Sequence, residues 1–340
     1  LSDMLRLEKS RLRALSHRIL HRYGFSDDHA WAITDNLLQA QEHECFSHGL
    51  HRLSDCINVL HRGGLDPVAE PVLDDRFPAV VHCDANNGCA PLAIERGCAR
   101  LVESVRSTGI ACLAINNCFH FSALWIEVER IAREGCVALA MTPTLPFTAP
   151  TGGRSRLLGT NPFAFSWPRP HAQPYTFDFA TSEAARGRVE LCALEGRSLP
   201  AGWAIDVDGE PTTDPQAALE GALLAFGGHK GSAIATMIEL LAGPLISDKI
   251  GREIAPAVAD GPRYQPVHGE LIIAFEPHLL GGSDMEANFA RAEDFFREMQ
   301  TQGARLPSQN RQAAGARSAR SGIPISEPVL TRLHELDAAS

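Results

Sequence analysis

Ser47, His48 and Arg52 fall within nine residues, "CFSHGLHRL" (45–53). An imidazole can donate a proton near neutral pH, and a neighbouring hydroxyl can orient it. A guanidinium offers a planar fork that grips a carboxylate. Together these are the parts needed to add hydride to a C=O or C=N bond beside a carboxylate: the heteroatom takes a proton as hydride reaches carbon. A capped surface helix with outward histidines accounts for the same letters equally well. His43 and His51 read as surface or supporting residues.

Four further stretches carry the same ambiguity. In "FHFSALW" (119–125) His120 lies between two phenylalanines after a buried strand pattern, where α/β proteins place ligands and where core packing is the alternative. "PTGGRSRLLGTNPFAFSWPR" (150–169) contains two glycine turns whose bare amides suit phosphate or substrate oxygen, or simply a hairpin. "FDFATSEAARGR" (177–188) places Asp178 at a strand end, with Thr181-Ser182 as a helix start. "FGGHKGSA" (226–233) resembles a phosphate-binding turn with Lys230 as a point charge, but lacks the Walker order. No Gly-x-Gly-x-x-Gly follows a strand pattern, so any dinucleotide is held without the ordinary Rossmann fingerprint. His17 and His21 are four apart in a basic helix without nearby acids, and no metal site is expected.

These residues need elements to position them. The periodicity predicts helices over 3–22, over "DDHAWAITDNLLQAQEHE" with Ser26 as N-cap, and over 48–62 with Ser47 as cap and Gly63-Gly64 as stop. Beyond residue 70, strand patterns ("PAVVHCDA", "IACLAINN", "CVALAMTPT", "PFAFSWPR", "YTFDFAT", "GELIIAFEP") alternate with helical ones ("PLAIERGCARLVESVRSTG", "LWIEVERIAREG", "GSAIATMIELLAGPLI"), which argues for an α/β region. The expected organisation is a helical N-terminal lobe over 1–68 carrying the Ser-His-Gly motif, an α/β cofactor- and substrate-binding region over 69–307, and 308–340 as a surface connection followed by a last helix. That helix, capped by Ser326 with Pro328 in its first turn, is expected to return to the N-terminal lobe.

Bulk composition narrows the class. Hydrophobic residues make up 44% and charged residues 21% of 340 residues, as in ordinary globular proteins. A net charge of -10 argues against a nucleic-acid-binding surface. No apolar run is long enough to span a bilayer, so no membrane partner is expected. The nine cysteines form no Cys-x-x-Cys pair and read as reduced thiols, and the amphipathic start lacks a secretory pattern; both point to the cytoplasm.

Taken in order, Ser-His-Gly-x-x-Arg near 50, His-Phe near 120, Gly-Thr-Asn-Pro near 160, Asp-x-Ala-Thr-Ser near 180, "LPAGWAIDVDGEPTTDP" and Gly-Gly-His-Lys-Gly near 230 resemble the type-2 malate/L-lactate dehydrogenase family over nearly the whole chain. The resemblance implies a non-Rossmann α/β fold, an NAD(P)-dependent oxidoreductase and a homodimer. Within that family "CFSHGLHR" and "HFSALW" look most like the reductases of cyclic imine 2-carboxylates, which use NADPH; NADH remains an alternative. So do other readings: a 2-hydroxy-acid dehydrogenase on the same scaffold (malate, lactate, ureidoglycolate or diketogulonate type), and a non-catalytic ligand-binding relative. The resemblance further implies His48 as proton donor with Ser47 as its partner, and Arg52 and Thr160 on the substrate. His120, Phe121, Ser122, Ala123 and Leu124 would line the cofactor, and Asp178, Phe179, Ala180, His229 and Lys230 would hold the dinucleotide. Three positions depart from the pattern. Arg188 stands where those reductases carry an aspartate of the Ser-His relay, Arg186 replaces a histidine, and Pro307-Ser308 replaces Pro-Gly. A cation cannot orient an imidazolium as an acid does.

Overall fold

The computed structural model describes residues 4–254 and 267–339. The chain opens with a short strand, β1 (Met4–Leu7), followed by α1 (Lys9–Arg22), α2 (Asp27–Glu42) and α3 (Arg52–His61). A seven-stranded sheet is built from β2 (Val72–Phe77), β3 (Val80–Asp84), β4 (Ile110–Phe119), β5 (Val137–Met141), β7 (Phe163–Trp167), β8 (Tyr175–Phe179) and β12 (Val267–Phe275). Its order is β2-β3-β4-β12-β5-β7-β8; β3 and β4 run parallel and every other neighbouring pair is antiparallel. The short strands β6 (Thr148–Ala149), β9 (Ala204–Ile205), β10 (Pro211–Thr212) and β11 (Ala222–Leu224) form a second, four-stranded sheet, packed with α6 (Arg186–Leu194) and α7 (Pro215–Glu220). This is the mixed α/β architecture expected.

Helices cover both faces of the large sheet. α4 (Ala90–Thr108) and α5 (Leu124–Arg133) bury Ile94, Leu101, Val128 and Ile131 against Val81, Leu113 and Ile272. On the other side α8 (His229–Leu241) packs Ile238 against Ala114, Met141 and Leu271. Strands covered on both faces read as apolar runs, which is why β4 and β12 were legible. A third core joins α1, α2 and α3 to Phe119 at the end of β4, Phe121 just beyond it and Val267 at the start of β12, and to Ile323, Ile325, Leu333 and Leu336 near the C-terminus. Among the described residues no helix is long and apolar enough to cross a membrane.

Four local expectations change. Residues 4–7 are not the start of a helix; β1 pairs antiparallel with β13 (Ile323–Ser326), so a strand partner far along the chain outweighs local propensity. The helix expected over 48–62 begins only at Arg52. Phe46–His48 is a single 3₁₀ turn, and Ser47 caps nothing. The cause is Gln41, whose Oε1 accepts from Leu50 N at 3.0 Å while its Nε2 donates to Pro324 O at 2.7 Å. Thr181-Ser182 does not start a helix either; α6 starts at Arg186, and Thr181 instead donates to the backbone oxygens of Thr160 and Asn161. Finally, the stretch read as a surface connection is mostly a helix, Gln309–Ser321. Alanine, arginine and glutamine favour helix, and this one is anchored by Arg311 to Glu129, Arg317 to Glu44 and Ser318 to Glu42 O. The last helix, Glu327–Ala338, packs on α1 and α3, and Arg18 holds Asp337.

Gln41 explains the glycine of Ser-His-Gly. A Cβ at Gly49 would stand 2.1 Å from Gln41 Oε1, so any side chain there evicts the amide that holds Leu50. Gly49→Ala is therefore expected to cost about 1–3 kcal/mol, the penalty of an unpaired buried polar group, read by urea unfolding. Unchanged stability would show that Gln41 is not what shapes this turn.

Candidate active site

The 3₁₀ turn presents Ser47 and His48 together: Ser47 Oγ lies 3.0 Å from His48 Nδ1. Arg52 reaches back from the first turn of α3, its Nε donating to Ser47 O at 2.9 Å. It also pairs with Asp55 through Nη1 at 2.9 Å, with 36% of its side chain exposed, so the fork is partly open to solvent. Arg52 therefore reaches the Ser47–His48 turn by folding back across it from α3. Burial, then the charges of Arg52, His120 and His51, lower the His48 imidazole to about 4, against a smaller opposing pull from Glu127. In the free protein His48 is neutral near pH 7.

His120 follows the last residue of β4, and its side chain turns inward, with 5% exposed. Its Nε2 lies 3.4 Å from Glu127 Oε1 and 3.3 Å from Glu270 Oε2, and both carboxylates are fully buried. Where no metal was expected, these donor atoms converge within 4.8 Å of one another. Phe121, Ser122, Ala123 and Leu124 are buried as well, so any ligand contact from this loop falls to its backbone. Ser122 Oγ accepts from Asn36 Nδ2 at 2.8 Å, which ties the loop to α2.

The other stretches join this loop through a chain of contacts. Asp178 Oδ2 accepts the Trp125 amide at 3.0 Å, at the start of α5. Burial raises its carboxyl to about 6, despite that hydrogen bond. Phe179, 42% exposed, packs edge-on against Phe226, with Ala180 partly exposed behind it. Phe226 N donates to Thr181 O, and Thr181 N donates to Thr160 O. Thr160 Oγ1 is 3.2 Å from Thr144 Oγ1. The Gly-Thr-Asn turn is held from below by Glu239, which accepts from Gly159 N and Asn161 Nδ2. The predicted stretches near 120, 160, 178 and 226 are thus linked into one region, and His48 stands near enough to it to feel the charges of His120 and Glu127.

This region offers a turn suited to the phosphates of a dinucleotide. Gly227 and Gly228 have positive φ and open space where a side chain would stand, directly before α8. His229 and Lys230 are exposed in the first turn of that helix. An open helix N-terminus with a nearby ammonium suits phosphate. Of the departing residues, Arg188 stacks 4.8 Å over Trp203, while Arg186 lies 4.0 Å over Phe147 and pairs with Glu190. Ser308 adopts φ +69, a left-handed conformation that explains why glycine is usual there.

Glu127, Glu270, Asn36 and Gln41 were not singled out from the sequence. Glu127 looked like one of several acids on an amphipathic helix. Glu270, an acid inside the apolar run "GELIIAFEP", was the available signal.

Comparison with known proteins identifies the family. Residues 7–334 match the family model described as malate/L-lactate dehydrogenase. A Δ1-pyrroline-2-carboxylate/Δ1-piperideine-2-carboxylate reductase of Pseudomonas aeruginosa is 49% identical over 324 residues, covering 95% of this chain and 97% of that one. A Δ1-pyrroline-2-carboxylate reductase of Burkholderia ambifaria is 50% identical, covering 94% of each. The crystal structure of Δ1-piperideine-2-carboxylate reductase from Pseudomonas syringae superposes with a TM-score of 0.92 at 40% identity, over 98% of this chain and 99% of that one. The chain belongs to the malate/L-lactate dehydrogenase family, and it is an oxidoreductase of the kind that works with a nicotinamide cofactor.

Proposed function

We propose that this chain reduces the C=N bond of a small cyclic imine 2-carboxylate, Δ1-pyrroline-2-carboxylate to L-proline or Δ1-piperideine-2-carboxylate to L-pipecolate, with NADPH and with His48 as proton donor. The observation that carries it is the Ser47–His48 pair with the partly open Arg52 fork beside it. The names of relatives about half identical to this chain support the substrate class. Arg52 binds the substrate carboxylate, and Thr160 contacts the same molecule. The backbone of 120–124, with Asp178, Phe179, Ala180, His229 and Lys230, holds the dinucleotide, which supplies the hydride. Lys230 and the open turn before α8 suit the extra phosphate of NADPH.

The charges make the chemistry depend on binding. Arg52 is the largest charge disfavouring a proton on His48. A bound carboxylate offsets that charge, so substrate binding raises the proton affinity of His48. His48 takes up a proton, Ser47 holds the ring through Nδ1, and the face turned to substrate donates to nitrogen. The cation–aromatic stacking of Arg188 leaves this pair to work without a third relay member.

The chain is also read as a homodimer, supported by Met237, Leu240 and Leu245, apolar residues exposed along and just beyond α8. Light scattering that returns a monomer would remove that reading.

His48→Ala should lower kcat by roughly 10²–10⁴-fold, the usual contribution of general acid catalysis. Near-normal turnover would take His48 out of the mechanism. Arg52→Ala should act chiefly on KM for carboxylate substrates; an unchanged KM would sink its role. A panel of cyclic imines and 2-keto acids with NADPH and NADH, followed by nicotinamide absorbance, tests the substrate. Keto-acid turnover exceeding imine turnover would replace the imine with a hydroxy-acid couple.

A further inference from the structure

Inside the fold one group of donor atoms is left without partners. His120 follows the last residue of β4, Glu127 lies in the first turn of α5, and Glu270 belongs to β12. Both carboxylates are fully buried, and only 5% of the His120 side chain is exposed. His120 Nε2 and all four carboxyl oxygens are buried with no hydrogen-bond partner. One donor atom from each residue lies within 4.8 Å of the other two. Among the described residues no other group of three or more histidine, cysteine or acidic side chains converges in this way.

Spacing separates this cluster from an ordinary ion pair. A charged N–H···O bond brings nitrogen and oxygen to about 2.7–2.9 Å. The buried pair of Arg311 with Glu129 closes in that way, at 2.6 Å. His120 Nε2 instead stands 3.3 Å from Glu270 Oε2 and 3.4 Å from Glu127 Oε1. A zinc ion holds nitrogen and oxygen ligands at about 2.0–2.2 Å, so neighbouring corners of its tetrahedron lie about 3.3–3.6 Å apart. Both observed distances fall in that range. One nitrogen facing two carboxylates at this spacing is the geometry of ligands around a shared cation.

Charge points the same way. Two carboxylates sealed from water need compensating positive charge beside them. In the ion-free chain protons supply it: burial opposes a charge on His120, but Glu270 and Glu127 hold its imidazolium up to about 10. A divalent cation neutralises both carboxylates at once and takes the imidazole as a neutral ligand, displacing the protons.

We propose that His120 Nε2, Glu127 and Glu270 bind one divalent transition-metal ion, zinc by preference, which clamps β4, α5 and β12 together. The remaining carboxyl oxygens complete the fourth position. No thiol takes part: Cys118, two residues before His120, turns its Sγ to His268 O at 3.2 Å. An imidazole with two carboxylates suits zinc or manganese, not a thiophilic ion. Because both carboxylates are sealed from solvent, the ion is structural: it fixes the loop that follows β4 and polarises no substrate. The site goes beyond the proposed reduction and does not depend on it, since neither His48 nor Arg52 is a ligand.

The test is the metal content of the full chain, expressed with added zinc, purified without an immobilised-metal step and desalted. Mass spectrometry of the acid-digested protein should find about one zinc per chain, lost from Glu127→Gln and from Glu270→Gln. The zinc-loaded chain should melt roughly 5–10 °C above the chain grown without added zinc and dialysed against EDTA, and neither variant should show that difference. Should the variants not fold, X-ray absorption of the loaded wild-type chain decides: nitrogen and oxygen at about 2.0–2.2 Å, with an imidazole and no sulfur, supports the site. Zinc absent from the wild-type chain, or retained equally by both variants, overturns the proposal. So does a sulfur shell, which would place the ion on the cysteines. None of these readouts uses turnover, so absent imine reduction by the loaded chain overturns the proposed reaction and leaves the metal site standing.

Discussion

The pairing of β4 with β12 is the constraint on which the site depends. β4 ends at Phe119 and delivers His120; β12 lies antiparallel beside it and delivers His268 and Glu270. A register shift between His268 and Glu270 interrupts the ladder there. Gly269 sits in that interruption, where a Cβ would come within 2.7–2.9 Å of Ala242 O, Ile246 and Asp248. Only a residue without a side chain lets β12 pass so close to the segment after α8. The bulge re-aims one side chain, as bulges beside ligand sites often do. With α4, α5 and α8 closing both faces, Glu270 has no route to water and must find its partner in His120.

One residue type does three jobs in this region because its surroundings differ. His48 is lowered to about 4 by burial and by cations, His268 to about 3 by burial and by His120, and His120 is raised to about 10 by its carboxylates. A shift of one unit corresponds to about 1.4 kcal/mol between protonation states, so these environments separate the three rings decisively. The ordering follows from which neighbours carry charge, since all three imidazoles are substantially desolvated.

The departures from the family pattern have local homes. Arg186 and Arg188 open α6 beside the small sheet, each laid over an aromatic ring. A guanidinium on an aromatic face is a stable arrangement, so both side chains are accommodated beside the small sheet. Ser308 carries the cost of its left-handed backbone, roughly 1–2 kcal/mol, and its hydroxyl accepts from Gln312 in return.

Sequence alone determined the alternation of strands and helices beyond residue 70, the capped start of α2, the clustering of Ser47, His48 and Arg52, and the ordered motifs of a nicotinamide oxidoreductase without a Rossmann fingerprint. Those features are short-range: periodicity, capping and spacing act within a few residues of one another. Tertiary structure alone decided the rest. It set the first four described residues as a strand against β13, the 3₁₀ turn held by Gln41, the helix at 309–321 pinned to Glu129 and Glu44, and the charge state of every buried acid and imidazole. Each depends on partners far apart in the chain. Glu127 and Glu270 are 3.4 and 3.3 Å from the same nitrogen; an acid inside an apolar run marks Glu270 in the sequence, but its partners are decided only when the fold brings them together.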